Sequence, residues 1–482
     1  MTAASLTLGI DLGTSAVKVA AVDGGGTVQG EGAAQFPTLT VLPNQAEQAP
    51  GDWLDATARA MEMLAGSLSA RVPGWRCAVR AIGLTGQLPT LVCLGERDPL
   101  ARAITWKDGR ADEWAAGRVR RGEHYARTGM PIDGRYLAPM WQFHFADRAH
   151  QVSTVLSAKD FLLYALTGQR ITEPSTAAGY GVYDLEERRF AKDLCEFWNL
   201  PQRLLPRLEP ANSCAGPLSE AGAALLGLPA GIPMSCGAAD SVCAAYAMAG
   251  LDEHVVSISF GSSAVILAAS ATRRLDPAAR YLLTPHVLPG WYGREMDLLA
   301  SGTGHRWLSE LLGLSDGQLD RAAAASLPGA RGISFAPYLA GGEQGALWNP
   351  RLKGALFGLT LGHSRADVAR AYLEGVFFEV KRCLEVLAQT LPIESVRVAG
   401  RIVLAPSSIQ MLADVLGYPV GEVHEQSPAA IGAALLAQRL GQPQAAAPAR
   451  APARPATSPD PGSAAAYREL FATYLERAAR CG

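Results

Sequence analysis

Two distant segments of this chain share one design. LTLGIDLGTSAVKVAAVD near the start turns at Gly13-Thr14-Ser15, and VVSISFGSSAVILAAS beyond the middle turns at Gly261-Ser262-Ser263. Each is an apolar strand, a tight glycine–hydroxyl–hydroxyl corner and a second apolar strand. The corners lie 248 residues apart (261 − 13), about half of the 482-residue chain. Internal likeness at that spacing predicts two related lobes. Glycine lets the backbone come close, so its N–H groups and the neighbouring hydroxyls can point at oxyanions. Two such corners facing each other across a cleft would clasp a polyphosphate.

Composition narrows the function classes. A chain of 482 residues exceeds one hydrophobic core and predicts two or three domains. Apolar residues at 49% and charged residues at 18% are those of an ordinary globular protein. A formal net charge of −2 leaves no basic footprint, so nucleic acid is not an expected partner. No window approaches eighteen apolar residues without a charge or turn former, and the N-terminus runs straight into an apolar strand, so neither a membrane span nor a signal peptide is expected. The eight cysteines are scattered, without a C-x-x-C pair or a histidine at metal-ligand spacing. They read as reduced, structural thiols of a cytoplasmic protein.

Residues 6–12 and 17–23 predict the first hairpin, and apolar residues at helical spacing predict a helix over 52–70. Residues 79–94 read as strand, turn and strand. A mainly helical region is expected from about 110 to 228, with its clearest helix over 159–167 ending at Gly168. The pattern then restarts with a strand at 232–236, the turn Gly237-Ala238-Ala239-Asp240 and a helix over 241–248. After the second hairpin come helices at 365–390 and 407–416, a strand at 419–423 and a helix at 428–439. An Ala/Pro-rich linker over 442–466 precedes a closing helix at 467–480. This divides the chain into an N-terminal lobe (1–230), a C-terminal lobe (231–441), the linker and a last helix (467–482). Strands alternate with helices in both lobes, an α/β class.

Two carboxylates stand where chemistry would be done. Asp11 precedes the first corner by two residues. It either accepts hydrogen bonds from its own turn or, beside a polyphosphate, serves a Mg²⁺ ion, a hard cation that prefers oxygen. Lys18 either reaches back to the phosphates or is solvated. Asp240 follows an apolar strand and opens a helix, so it reads as an N-cap. A strand-end carboxylate aimed into a cleft can equally accept the proton of an attacking hydroxyl, and the two roles are compatible.

The order GIDLGTSAVK (9–18), WKDGR (106–110), LLYALTG (162–168), GAAD (237–240), FGSS (260–263), PYLAG (337–341), LEG (373–375), QMLADVLGYPV (410–420) and AAIGAALLA (429–437) resembles the FGGY carbohydrate kinases, the group that includes xylulokinase and glycerol kinase. The resemblance covers essentially the whole chain apart from the Ala/Pro stretch. It implies an α/β fold of two ribonuclease-H-like lobes, of the actin/hexokinase/Hsp70 class, with ATP and sugar meeting in a central cleft. It implies that Asp11 serves the Mg-ATP end, that Gly13, Thr14 and Ser15 with Lys18 contact phosphate from one lobe, and that Gly261, Ser262 and Ser263 do so from the other. Asp240 matches the catalytic base. Ser241, Trp106 and Asp108, with Gln87 and Leu88, fall beside the sugar, while Arg110 holds its loop by pairing with a carboxylate. Gly302, Gly304 and Gly400 match turns near the nucleotide.

The departures bear on specificity. Xylulokinases usually carry Gly-Gln-Met-His-Gly where this chain has Gly86-Gln87-Leu88-Pro89-Thr90, and Pro89 has no backbone N–H to donate. This argues against a plain D-xylulose specificity. LAPMW (137–141) stands where a lysine is common, and Gly341-Gly342-Glu343-Gln344-Gly345 replaces the usual GERTP. The family's three glycines at the adenosine loop appear as Gly400-Arg401-Ile402-Val403-Leu404. Either that loop takes another path, ATP binds more weakly, or the usual nucleotide is not used. The leading expectation is an ATP- and Mg²⁺-dependent kinase acting on a pentulose or related small sugar or polyol. A sugar-binding pseudokinase of the same fold and a chaperone-like ATPase are the other readings. The assembly state, a homodimer included, is left open.

Overall fold

The structure is a computed structural model and describes residues 5–42, 44–69, 71–315, 317–400, 405–423, 427–440 and 455–482. Its centre is a strand buried over its whole length, β1 (Leu6–Leu12), as expected where both faces of a sheet are covered. β2 (Ala16–Asp23) returns antiparallel to β1, β3 (Val28–Gln35) pairs antiparallel with β2, and β4 (Val79–Gly86) lies parallel on the other side of β1. β5 (Cys214–Pro217) and β6 (Pro233–Ser235) extend the sheet beyond β4, and the short β7 (Ala238–Ala239) also pairs with β4. The first sheet therefore runs past the lobe boundary expected near 230, because the strand before the GAAD turn hydrogen-bonds to β4.

The second sheet repeats the same plan. β8 (Val255–Phe260) and β9 (Ala264–Ser270) form the second hairpin. β10 (Leu282–Pro285) and β11 (Tyr292–Leu298) continue beyond β9, while β12 (Ser395–Gly400) runs parallel to β8 and is followed by β13 (Val420–Glu422). Both sheets thus have a central strand, an antiparallel hairpin partner with a third strand beyond it, and a parallel strand on the opposite side. These are the two related lobes that the duplicated corners predict, in the ribonuclease-H-like form that the family resemblance implies. The region expected to be mainly helical is instead short helices alternating with two- to four-residue strands.

Helices cover the sheets where apolar spacing places them. α1 (Pro50–Leu68) packs on the first sheet, and α2 (Ala158–Thr167) is capped by Ser157 and ended by Gly168. α3 (Pro174–Ala178) is a single buried turn and a half, and α4 (Asp240–Ala249) follows β7. α5 (Gly302–Leu311), α6 (Arg365–Ala388) and α7 (Pro406–Leu416) belong to the second lobe. α8 (Pro428–Ala437) comes from the end of the chain yet packs on the first sheet and on α4. That contact leaves no room for side chains. A Cβ on Gly9 would lie 1.7 Å from the Ala430 carbonyl oxygen, one on Gly83 1.9 Å from that of Ala433, and one on Gly432 1.8 Å from that of Cys243.

The closing helix α9 (Pro461–Ala478) begins at 461 rather than 467. Asp460 caps it by accepting from the Ser463 amide at 2.8 Å, and alanines, strong helix formers, extend it back into the stretch expected to be linker. Thr457 forms a bridge with Val420, and the rest of that expected linker, 442–454, lies outside the described residues. α9 is anchored to α6: Tyr467 donates to Glu374 at 2.8 Å and Tyr474 to Glu379 at 2.6 Å. No described helix is long and apolar enough to cross a membrane.

Gly432→Ala is expected to destabilise the protein by about 1–3 kcal/mol or more, since the added methyl group overpacks a backbone-to-backbone contact. Chemical denaturation of the variant beside its parent measures this, and an unchanged midpoint would show that α8 and α4 can separate without loss.

Candidate active site

The two corners meet. Thr14 of the first and Ser263 of the second line one cavity of about 200 Å³, which also takes in Leu88, Trp106, Asp240 and Ser241. The backbone of each corner closes on itself, Gly13 N–H donating to the Ala16 carbonyl at 3.1 Å and Gly261 N–H to that of Ser263 at 2.8 Å. The first corner is held from behind: Gln48 Nε2 donates to the Thr14 carbonyl at 2.8 Å, and the Trp106 indole N–H donates to Thr14 Oγ1 at 3.2 Å. The second is buttressed by α5, where the Gly302 amide donates to the Gly261 carbonyl at 3.0 Å and the Thr303 amide to that of Ser262 at 3.1 Å.

Asp240 is the first residue of α4, with Ala239 in the cap position, so its carboxylate opens into the cavity rather than capping the helix. Its Oδ1 accepts from the Ser241 amide at 2.9 Å. Burial, followed by repulsion from Asp11, pushes its carboxyl from the usual 3.8 up to about 7. Asp11 lies on β1 opposite Lys18 of β2. Burial raises its carboxyl while the Lys18 charge pulls it back, and its Oδ1 is buried without a hydrogen-bond partner. Such an oxygen suits a cation. Among the described residues no three His, Cys, Asp or Glu side chains gather as a ready metal cage, so an ion there would take its remaining ligands from phosphate and water.

Several residues expected at the site act from behind it. Gln87 does not line the cavity; its Nε2 donates to Gln48 Oε1 at 2.8 Å, so it supports the residue that holds Thr14. Asp108 is also set back, its carboxylate taken up by Arg110 and by the Ala46 amide at 2.9 Å. Arg110 pairs with Asp108 and Glu47, the loop-holding role expected of it. Both departures have the same cause: a buried polar side chain must spend its hydrogen bonds on whatever is nearest. Lys18 faces Asp11 and stays outside the cavity lining. Gly302 and Gly304 are packing positions, where a Cβ would lie 2.2 Å from the Gly261 carbonyl oxygen and 2.5 Å from the Tyr372 hydroxyl. Gly400 ends β12 beside Phe260, directly before the second corner. Arg401, Ile402, Val403 and Leu404, on which the altered adenosine loop rests, lie outside the described residues.

The structure adds residues that the motifs do not indicate. Glu295 and Asp297 of β11 both line the cavity, being two apart on a strand and hence on one face. Two carboxylates at that spacing within YGREMDL are the signal that could have found them. Glu295 accepts from the Ser241 hydroxyl at 3.0 Å. Burial and the neighbouring Asp297 and Asp240 hold the Glu295 carboxyl well above its usual range, and burial pushes Asp297 up to about 7 against the pull of Arg135. Arg135, the one cation among the described residues that line the cavity, is paired with Asp133. The replacement loop Gly341–Gly345 also contributes: Glu343 accepts from the amides of Leu299 and Gln344 at 2.9 Å, setting Gln344 in the wall.

The raised Asp240 carboxyl has a stability consequence. Between about pH 4 and 7 the folded chain keeps a proton that the unfolded chain releases, so this group's contribution falls as pH rises through that window and is level above it. Asp240→Asn is therefore expected to stabilise the protein by about 2–4 kcal/mol at pH 8 and by little near pH 4. Thermal melts of both proteins across that range test it; an Asn variant no more stable than its parent at pH 8 would refute the buried-charge assignment.

Comparison with known proteins identifies the family. Sequence profiles for the N-terminal and C-terminal domains of the FGGY family of carbohydrate kinases match residues 6–247 and 256–440. The chain is 32% identical over 452 residues to the xylulose kinase of Escherichia coli (strain K12), covering 91% of this chain and 90% of that one. It is 30% identical over 488 residues to the xylulose kinase of Klebsiella pneumoniae, covering 98% of each. The crystal structure of xylulose kinase from Rhodospirillum rubrum superposes with a TM-score of 0.88 at 27% identity, covering 98% of each chain. The chain is an enzyme of the FGGY family of carbohydrate kinases.

Proposed function

We propose that this kinase transfers the γ-phosphoryl group of ATP to a hydroxyl of a pentulose, xylulose or a close relative, with Asp240 as general base. One observation carries the reading: Thr14 and Ser263, one from each duplicated corner, share a cavity with the Asp240 carboxylate. The corner amides and hydroxyls would grip the polyphosphate from both sides. Mg²⁺, when bound near Asp11, would neutralise phosphate charge as the bond to the leaving oxygen loosens. Asp240, with its carboxyl at about 7, takes the acceptor's hydroxyl proton as oxygen attacks phosphorus. The products are the sugar phosphate, ADP and a proton. Trp106 offers an indole face to the apolar side of the acceptor, and Ser241, whose proton goes to Glu295, offers it an oxygen lone pair.

Leu88 and Pro89 line the cavity where xylulokinases usually carry methionine and histidine, which leaves xylulose short of one polar contact. The branched Ile402-Val403 pair in place of glycines favours the second reading, a sugar-binding protein with weak ATP use. A panel of pentuloses, hexuloses and polyols with Mg-ATP, scored by ADP release, separates them. Turnover with a pentulose is expected. Thermal stabilisation by sugar but none by millimolar Mg-ATP would favour the pseudokinase.

Asp240→Ala is expected to abolish transfer while leaving Mg-ATP binding largely intact. Turnover within tenfold of the parent would remove Asp240 from the base role.

A further inference from the structure

Three of the four residues that lead into Asp240 are gripped by buried polar side chains from other elements. Lys159 Nζ on α2 donates to the Cys236 carbonyl at 2.8 Å, and Thr85 Oγ1 on β4 donates to the Ala238 carbonyl at 2.8 Å. The Ala239 amide donates to Ser175 Oγ on α3 at 2.9 Å. Between them Gly237 adopts φ +76, and a Cβ there would lie 1.8 Å from the Leu84 carbonyl oxygen, so the backbone is pressed against β4. Lys159, Thr85, Glu173 and Ser175 are all at most 1% exposed.

The polarity of this grip is set by Glu173. A serine hydroxyl carries one proton, and that of Ser175 points to the Glu173 carboxylate, at 2.8 and 2.9 Å from its two oxygens. Its lone pairs are thereby turned toward the Ala239 amide. Glu173 is held in turn by the Ser175 and Thr176 amides, both at 2.7 Å; burial raises its carboxyl, while the Lys159 charge and these hydrogen bonds pull it back toward the charged form. Lys159 is itself paired with Asp160 at 2.8 Å. The chain of contacts therefore runs from a buried carboxylate through one hydroxyl to the amide of the residue immediately before the proposed base.

We propose that Ser175, oriented by Glu173, is a positioning residue that fixes the Asp240 carboxylate in its attitude toward the acceptor hydroxyl. This rests on the reading of Asp240 as the base. Ser175 also lines the cavity, so direct contact with the acceptor is the competing role. The two differ in kinetics. A lost acceptor contact raises KM, whereas a misaimed base lowers kcat, and displacement by about 1 Å can cost roughly 100-fold.

The test uses the full chain as Ser175→Ala, Ser175→Cys and Glu173→Gln, with steady-state kinetics on the best acceptor and hydrogen–deuterium exchange over 232–248. Alanine removes the acceptor. Cysteine keeps the size with a weaker one. Glutamine can donate to Ser175 Oγ and turn its proton toward Ala239. Expected are a 10- to 100-fold fall in kcat for the Ala and Gln variants, an intermediate value for Cys, and KM for acceptor and ATP within about threefold of the parent. Exchange at the Ala239 amide should quicken in the same order. A raised acceptor KM with unchanged kcat, or unchanged exchange at Ala239, would overturn the proposal. Parental inactivity on every acceptor would refute the kinase reading instead, and the exchange measurement would still decide whether Ser175 holds the corner.

Discussion

The structure depends on α8 lying flat between the first sheet and α4. Gly9 and Gly83 on the strands, and Gly432 on the helix, let backbone meet backbone at distances that any Cβ would forbid. The helix is buried on nearly all sides, which is why AAIGAALLA shows little amphipathic pattern. Through this contact the last third of the chain is tied to the first strand. Gln438 Nε2 adds a bond to the Asp23 carbonyl at 2.7 Å on the same side. The separation of the two corners, and with it the cavity, follows from how closely these layers pack.

Within that frame the cavity is an unusual electrostatic environment. Asp240, Glu295 and Asp297 line it, while Arg135, the single cation among the described lining residues, is already engaged by Asp133. Carboxylates with little countercharge in a buried space hold their protons to higher pH, since desolvation penalises the charged form more than the neutral one. For a phosphoryl-transfer site this has a use: a carboxylate poised near neutrality is a better proton acceptor than one ionised far below it. The stability lost by burying Asp240 and the basicity it gains have one origin.

Much of this architecture is written locally. The hairpins around Gly13 and Gly261, helices 158–167 and 365–388, and the turn into Asp240 all follow from neighbours within a few residues, through glycine corners, caps and apolar spacing. Composition is a poor guide where distant contacts decide the outcome. The Ala/Pro stretch reads as linker, yet Asp460 and the alanines after it begin a helix that Tyr467 and Tyr474 bind to buried glutamates 93 and 95 positions away. Gln87 and Asp108 have the residue types of sugar ligands, but each lies where a closer protein partner consumes its hydrogen bonds.

What the sequence alone determined is the duplicated hairpin, the strand-to-helix turn bearing Asp240 and the kinship of the whole chain, because each is a pattern of adjacent residues that survives without knowledge of the fold. Tertiary structure alone decided that Glu295 and Asp297 join Asp240, that Ser175 holds the amide of the residue before it and that α8 crosses to the other lobe. Those contacts link residues 54 to more than 400 positions apart. Burial, hydrogen bonding and charge act through space, and the spacing of letters along a chain carries no record of which distant groups folding will bring together.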